Sequence, residues 1–286
     1  MALTDYLQLG NGQWMKTDGT GPYIQNQVGI FELVSARVDW HTQTGFGLTN
    51  GYERWSLWGN NSDIDLGTLP EVISTLGGTT PAYVDVATSM EIVSDNVNDT
   101  AAGTGARTVL LEVLDASYVR SFPTITLNGT TAVALPAQVT AVNLASIKTV
   151  GSNGSNIGTL TIRDAGAGTS RLLIVPGRNI SQSSVRVVPA GYTLQVRTHF
   201  ASINRTVTAG RWVTWTGVFQ QFVSAGVWDP AILALDAGLS DTCPMHFQAE
   251  PGLIIREKGR YWHQAMDVSA NNTNLTTASW GILKQN

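Results

Sequence analysis

The sequence is short of charge. Asp, Glu, Lys and Arg make up 13% of 286 residues, about half the roughly 25% usual in soluble domains. A net charge of −4 with scattered basic residues excludes a nucleic-acid binder, which needs clustered Lys and Arg to neutralise phosphates. The densest basic run, Arg256-Glu257-Lys258-Gly259-Arg260, is itself interrupted by an acid. Cysteine is nearly absent. Cys243 alone excludes an internal disulfide and any multi-cysteine zinc site. No stretch approaches the roughly 20 apolar residues of a membrane-spanning helix. Met1-Ala2-Leu3-Thr4-Asp5-Tyr6 lacks the basic and apolar regions of a secretion signal. The expectation is therefore synthesis in a reducing cytoplasm, with no cofactor. Long helical periodicity is missing as well.

Thr, Ser, Asn and Gly stand where charge is missing, a composition suited to surfaces that neighbours cover. The dominant pattern is alternation. Tyr192 to Thr198 alternates polar and apolar residues as a half-buried strand does. Arg211 to Phe222 is rich in Trp, Val, Thr and Phe, with Trp212 and Trp215 on opposite faces, so at least one belongs in a core. Thr124-Ile125-Thr126-Leu127 and Thr131-Ala132-Val133-Ala134 flank Asn128-Gly129, the signature of a tight hairpin. Helix is expected only briefly. One candidate follows Asp229-Pro230 through Ala231 to Leu235 and ends near Gly238, and another lies within Leu69 to Leu76. The pattern predicts an all-β fold, an antiparallel β-sandwich of jelly-roll-like type, over residues 86–286. Residues 1–85, with weaker periodicity and several large aromatics, are expected to form an irregular docking arm. Trp14, Trp40, Trp55 and Trp58 are its interface candidates.

Residues able to carry chemistry are present but unorganised. His41, His199, His246 and His263 occur in no metal-binding or protease spacing. Cys243 and His246 match no nucleophile motif. Gly103-Thr104-Gly105-Ala106-Arg107 looks like half a phosphate loop, but a strand pattern follows it where a phosphate loop needs a helix. It reads as a turn between strands. Asp95, Asn98 and Asp99 cluster oxygen atoms that a calcium ion could use, though Asp and Asn also favour turns in their own right. Asp63, Asp65, Asp115, Asp164 and Asp236 are dispersed acids, two of which could act as a glycosidase pair if the fold brought them together. None of these residues is read as catalytic, and the chain is expected not to be an enzyme.

Met90-Glu91-Ile92-Val93-Ser94-Asp95, Asp99-Thr100-Ala101-Ala102-Gly103-Thr104-Gly105-Ala106-Arg107-Thr108 and Thr126-Leu127-Asn128-Gly129-Thr130-Thr131 follow one another in order. Gly151 to Leu160, Val188 to Tyr192 and Asp267 to Thr273 continue the series. The series resembles a group of tailed-bacteriophage virion structural proteins over residues 40–286, more faintly before residue 85. The resemblance implies a capsid decoration or head-fibre-type protein, a homotrimer made in a bacterial cytoplasm and placed on the virion beside capsid proteins. A neck, collar or tail adaptor is the alternative, and a glycan-binding adhesin using exposed tryptophans a second. No nucleic acid or membrane partner is implied.

Overall fold

The computed structural model describes residues 51–204, 211–240 and 245–286, together with the backbone of four short strands in the first fifty. The chain divides into two compact units, Met1–Arg54 and Trp55–Asn286. In the first, β1 (Tyr6–Gln8), β2 (Gln13–Lys16), β3 (Pro22–Gln25) and β4 (Phe31–Leu33) form an antiparallel meander in sequence order.

β5 (Tyr52–Ile64) begins three residues before the second unit, and β6 (Glu71–Val72) follows within it. Both precede residue 85, where the sequence pattern becomes regular. A middle group follows: β7 (Met90–Ser94), β8 (Ala106–Asp115), β9 (Arg120–Ser121), β10 (Thr124–Thr126), β11 (Val133–Ala134), β12 (Val139–Val150), β13 (Leu160–Asp164) and β14 (Ser170–Ile174). The chain then runs through β15 (Arg186–Val187), β16 (Tyr192–Ile203), β17 (Trp212–Gln220), β18 (Phe222–Ser224), β19 (Val227–Trp228) and β20 (Ile232–Ser240). It ends with β21 (Met245–Ile255), β22 (Arg260–Val268) and β23 (Thr273–Gln285).

Strand order defines the architecture. One sheet reads β5-β23-β16-β21 and a second reads β15-β22-β17-β20, with β6 also on β22. β6 pairs with Gln264 and Ala265, and β15 pairs with Arg260 and Tyr261, so the two lie end to end on one edge of β22. Counted as one interrupted strand, they complete eight strands. Lettered B to I in chain order, these give sheets B-I-D-G and C-H-E-F, the antiparallel double-sheet arrangement of a jelly roll. The small hairpin β18–β19 sits between the fourth and fifth elements of this count, between β17 and β20, as an insertion. The expected all-β, jelly-roll-like sandwich is thus present in residues 52–72 and 186–285.

The interruption holds a second sandwich. Residues 73–185 leave after β6 and return before β15, and they pack a sheet β10-β8-β12, with β9 attached to β8, against β11-β7-β13-β14. Its core includes Ile92, Val109, Leu111, Ile125, Leu160, Ile162, Leu172 and Ile174. Alternation explains the placement. In β7, Met90, Ile92 and Ser94 are buried while Glu91 and Val93 face outward.

Both short helices expected from the sequence are absent, and no helix occurs among the described residues. Ile232–Ser240 is a strand, with Leu233 opposite Val218, Leu235 opposite Gly217 and Ala237 opposite Trp215. Ala and Leu favour helix by only a few tenths of a kcal/mol per residue, which pairing along an existing strand outweighs. Leu69 to Leu76 forms turns and the short β6. The hairpin expected around Asn128-Gly129 is likewise a different structure. The turn is there, with Gly129 at φ 59°, but β10 pairs with β8 and β11 with β7. The chain crosses from one sheet to the other at this corner, because the neighbouring Asp95–Gly105 loop takes the hydrogen bonds a hairpin would have used. Gly129 N donates to Asp99 O at 2.8 Å, and Ser94 N donates to Gly129 O at 3.0 Å.

Candidate functional site

The candidate calcium ligands lie in the loop from β7 to β8. Asp99 is completely buried. Its Oδ1 accepts from Ala106 N at 2.7 Å and Ile157 N at 3.0 Å, and its Oδ2 from Ser94 Oγ at 2.7 Å and Gly158 N at 2.8 Å. Asp95 Oδ1 accepts from Thr159 N at 2.8 Å, and Asn98 is exposed. A carboxyl ringed by four donors ties two loops together and presents its oxygens to N–H and O–H groups. Gly105 is required here, since a Cβ on it would collide with Asp99 Oδ1. The half-phosphate-loop pattern is this packing: it forms a turn between two strands.

The dispersed acids serve local roles. Asp115 Oδ1 accepts from Ser117 N at 2.7 Å and Val119 N at 2.9 Å, closing a turn. Asp164 is held by Arg171, Nε and Nη2 donating at 2.9 and 2.7 Å. Asp65 accepts from Asn272 N at 2.8 Å, and Asp63 is exposed. The side chain of Asp236, and Cys243 and His41 altogether, lie outside the described residues. No group of three or more His, Cys, Asp or Glu able to hold a metal occurs among the described residues.

Sequence reasoning missed a polar cluster inside the jelly roll. His199 on β16 and His263 on β22 are buried between the sheets, with ring centroids 6.3 Å apart. His263 Nδ1 is hydrogen-bonded to Thr277 Oγ1 at 2.7 Å, and its Nε2 to Tyr261 Oη at 2.9 Å and Ser279 Oγ at 3.0 Å. His199 Nδ1 meets Ser279 Oγ at 2.9 Å. Burial lowers His199 to about 4. It drives His263 well below the ordinary histidine range, with help from the neighbouring His199. Both rings are therefore neutral near pH 7, and hydroxyls occupy both nitrogens of His263 and Nδ1 of His199. A weak signal was available: inward positions on three strands carry Tyr, His, Thr and Ser where apolar residues are the norm.

The interface tryptophans divide. Trp40 lies outside the described residues, and Trp14 is placed only by its backbone in β2. Trp55 is half-buried against Tyr261, with centroids 6.2 Å apart, in the jelly-roll core. Trp58 points the other way and is 55% exposed. The strand reading of Trp212 and Trp215 agrees with the structure: Trp215 is wholly buried and Trp212 exposed.

Trp58 borders a groove of about 430 Å³ on the outer face of β5, β23 and β16. The chain returning from the inserted sandwich forms one wall, with Ser183 bridging to Trp58 through the backbone. The floor is prearranged. Asn60 Nδ2 donates to Asn274 Oδ1 at 2.8 Å and Thr276 Oγ1 at 2.9 Å, and Asn204 Nδ2 donates to the same two atoms at 3.0 and 2.7 Å. A second depression of about 300 Å³, lined by Val113, Phe122, Pro123, Leu135 and Pro136, is apolar by comparison.

No protein-family description matches the chain, and no curated protein matches it. Solved structures similar to it include that of infectious bursal disease virus Gx strain, at 9% identity and TM-score 0.25, over 82% of this chain and 72% of that one. The Gt strain structure of the same virus aligns at 10% identity and TM-score 0.21, over 86% of this chain and 77% of that one. At such TM-scores the likeness carries no functional argument. These neighbours come from an animal double-stranded-RNA virus, and nothing in the comparisons connects the chain to tailed phages. The resemblance to tailed-phage virion proteins is corrected accordingly. Its motifs are turn residues fixed by local backbone needs, such as Gly105 against Asp99, and those needs do not specify a lineage.

Proposed function

We propose that this protein is a non-enzymatic structural component of a virus particle, packing on the particle surface as an oligomer of β domains. The observation that carries this reading is the eight-stranded jelly roll with a second sandwich inserted at its interrupted strand. Jelly rolls build viral capsid domains as well as lectin and cupin domains, so the site must choose among these. The interior histidines are engaged by hydroxyls, and the described Asp115, Asp164, Asp65 and Asp99 bind backbone or arginine. The surface favours assembly. It is poor in charge and exposes Val86, Phe122, Val223 and Ile254, apolar groups suited to burial against copies of the chain.

Gold-labelled antibody against residues 86–286, applied to intact particles from the source of the chain, is the test. Label on the particle surface is expected. Unlabelled particles, with the same antibody binding the isolated folded protein, would overturn the reading.

A further inference from the structure

The groove beside Trp58 is built for a ligand, and assembly does not account for it. Three observations say so. Trp58 offers an indole with no ring partner among the described residues, whereas Trp55, three positions earlier on the same strand, is packed into the core. Gln182 lines the groove and is only 7% exposed, yet its side-chain amide makes no hydrogen bond among the described residues. The amide is not sealed from solvent, so water satisfies it and a ligand hydroxyl can take that water's place. Finally, the Asn60, Asn204 and Asn274 amides are locked to one another and to Thr276. That locking commits both Asn60 and Asn204 Nδ2 groups and leaves Asn60 Oδ1, Asn204 Oδ1 and Asn274 Nδ2 without a partner among the described residues.

The chemistry of these groups defines what fits. A flat aromatic surface receives the C–H face of a sugar ring, and rigid amides alternate donors and acceptors as hydroxyls do. The volume, about 430 Å³, falls in the ~300–1,000 Å³ range of small-molecule sites. The lining contains no acidic residue and one exposed cation, Arg178, whose guanidinium has no ion pair among the described residues. A guanidinium at the rim of a polar groove matches a carboxylate through paired hydrogen bonds.

We propose that this groove binds a carboxylate-bearing saccharide, with the sugar ring stacked on Trp58, hydroxyls on Gln182, Asn60 and Asn204, and the carboxylate on Arg178. The proposal goes beyond the assembly reading and does not depend on it, since a particle protein or a free one could hold such a site.

Titration of the full chain followed by tryptophan fluorescence and calorimetry tests it. The probes are oligogalacturonate and sialyllactose, with lactose as the neutral comparison. At least one acidic probe is expected to bind, and more tightly than lactose. Trp58→Ala is expected to weaken binding at least tenfold, and Gln182→Leu by a similar factor. Arg178→Gln is expected to abolish the preference for the acidic sugar while neutral binding persists. Trp212→Ala, at an exposed tryptophan outside the groove, serves as the control and is expected to bind as the parent does. Circular dichroism confirms that each variant is folded. Failure of both acidic probes to bind, or binding unchanged in folded Trp58→Ala and Arg178→Gln, would overturn the proposal. Equal loss of acidic and neutral binding in Arg178→Gln would overturn its assignment of the carboxylate.

Discussion

Asp99 shows how much one side chain can organise. Its two oxygens hold the start of β8, the turn before β13 and Ser94 of β7 in one place, through four hydrogen bonds of 2.7 to 3.0 Å. Asp99→Ala would leave three backbone amides, two of them buried, and a buried hydroxyl unpaired. At about 1–3 kcal/mol for each unsatisfied group, with partial relaxation, the expected loss is roughly 3–5 kcal/mol. Asp99→Asn keeps one acceptor but turns an NH2 toward two donors, so a loss of about 2–3 kcal/mol is expected. Urea unfolding with equal m-values would measure both. A loss under 1 kcal/mol in Asp99→Ala would show that these loops are held by something else. Because the carboxyl faces donors, added calcium is expected to leave the unfolding midpoint unchanged. The sequence made this residue visible as a turn former, but its burial depended on Ile157 and Gly158, nearly sixty positions away.

At the scale of elements, β16, β22 and β23 bring His199, His263, Tyr261, Thr277 and Ser279 together between the sheets. Both histidines have folded pKa values below their unfolded ones, His199 near 4. Between pH 6.5 and about 4 the unfolded chain therefore binds more protons than the native state. The sign follows: stability is full above pH 6.5 and is lost as pH falls, at about 1.4 kcal/mol per unit for each histidine. The urea midpoint is expected to hold from pH 8 to 7 and to drop steeply from 6.5 to 4. The double variant His199→Gln, His263→Gln should be less stable at pH 7 yet show a flatter profile over that window. An equal slope in parent and variant would assign the acid sensitivity to the carboxylates. Strand alternation located β16 and β17 from sequence. It could not place β20, where local preference for helix lost to pairing with β17.

For the molecule as a whole, the decisive feature is the junction between the two sandwiches. Tyr83 and Val84 are adjacent in sequence but belong to different clusters. Val84 joins the core of the inserted sandwich, and Tyr83 packs with Val72, Val218 and Trp262 on the outer face of a jelly-roll sheet. Arg260 on β22 closes the junction. It is 7% exposed, pairs with Asp85, and lies 3.2 Å from the Trp228 ring centroid and 4.4 Å from that of Tyr83. Stacking and charge together couple the sandwiches, so the parent protein is expected to unfold this unit in one calorimetric transition. Arg260→Ala should separate the transition into two and cost roughly 2–4 kcal/mol. Arg260→Lys should not restore coupling, because an ammonium lacks the planar face that stacks between the rings. A single transition at lower temperature in Arg260→Ala would show that the apolar clusters alone couple the two.

Composition and alternation by themselves determined that this protein is antiparallel β, poor in charge and without an internal disulfide, because strand periodicity and residue counts are local properties. They also marked Asn128-Gly129 and Gly103 to Gly105 as turns, since positive φ angles and close approach are needed wherever those turns occur. Only the tertiary structure decided that one jelly-roll strand is interrupted by a whole sandwich, because β6 and β15 are recognisable as halves of one strand only when both lie on β22. It also decided which tryptophan faces a core and which a groove. Trp55 and Trp58 are three residues apart on one strand, hence on opposite faces, and what covers each face comes from chain more than a hundred residues away.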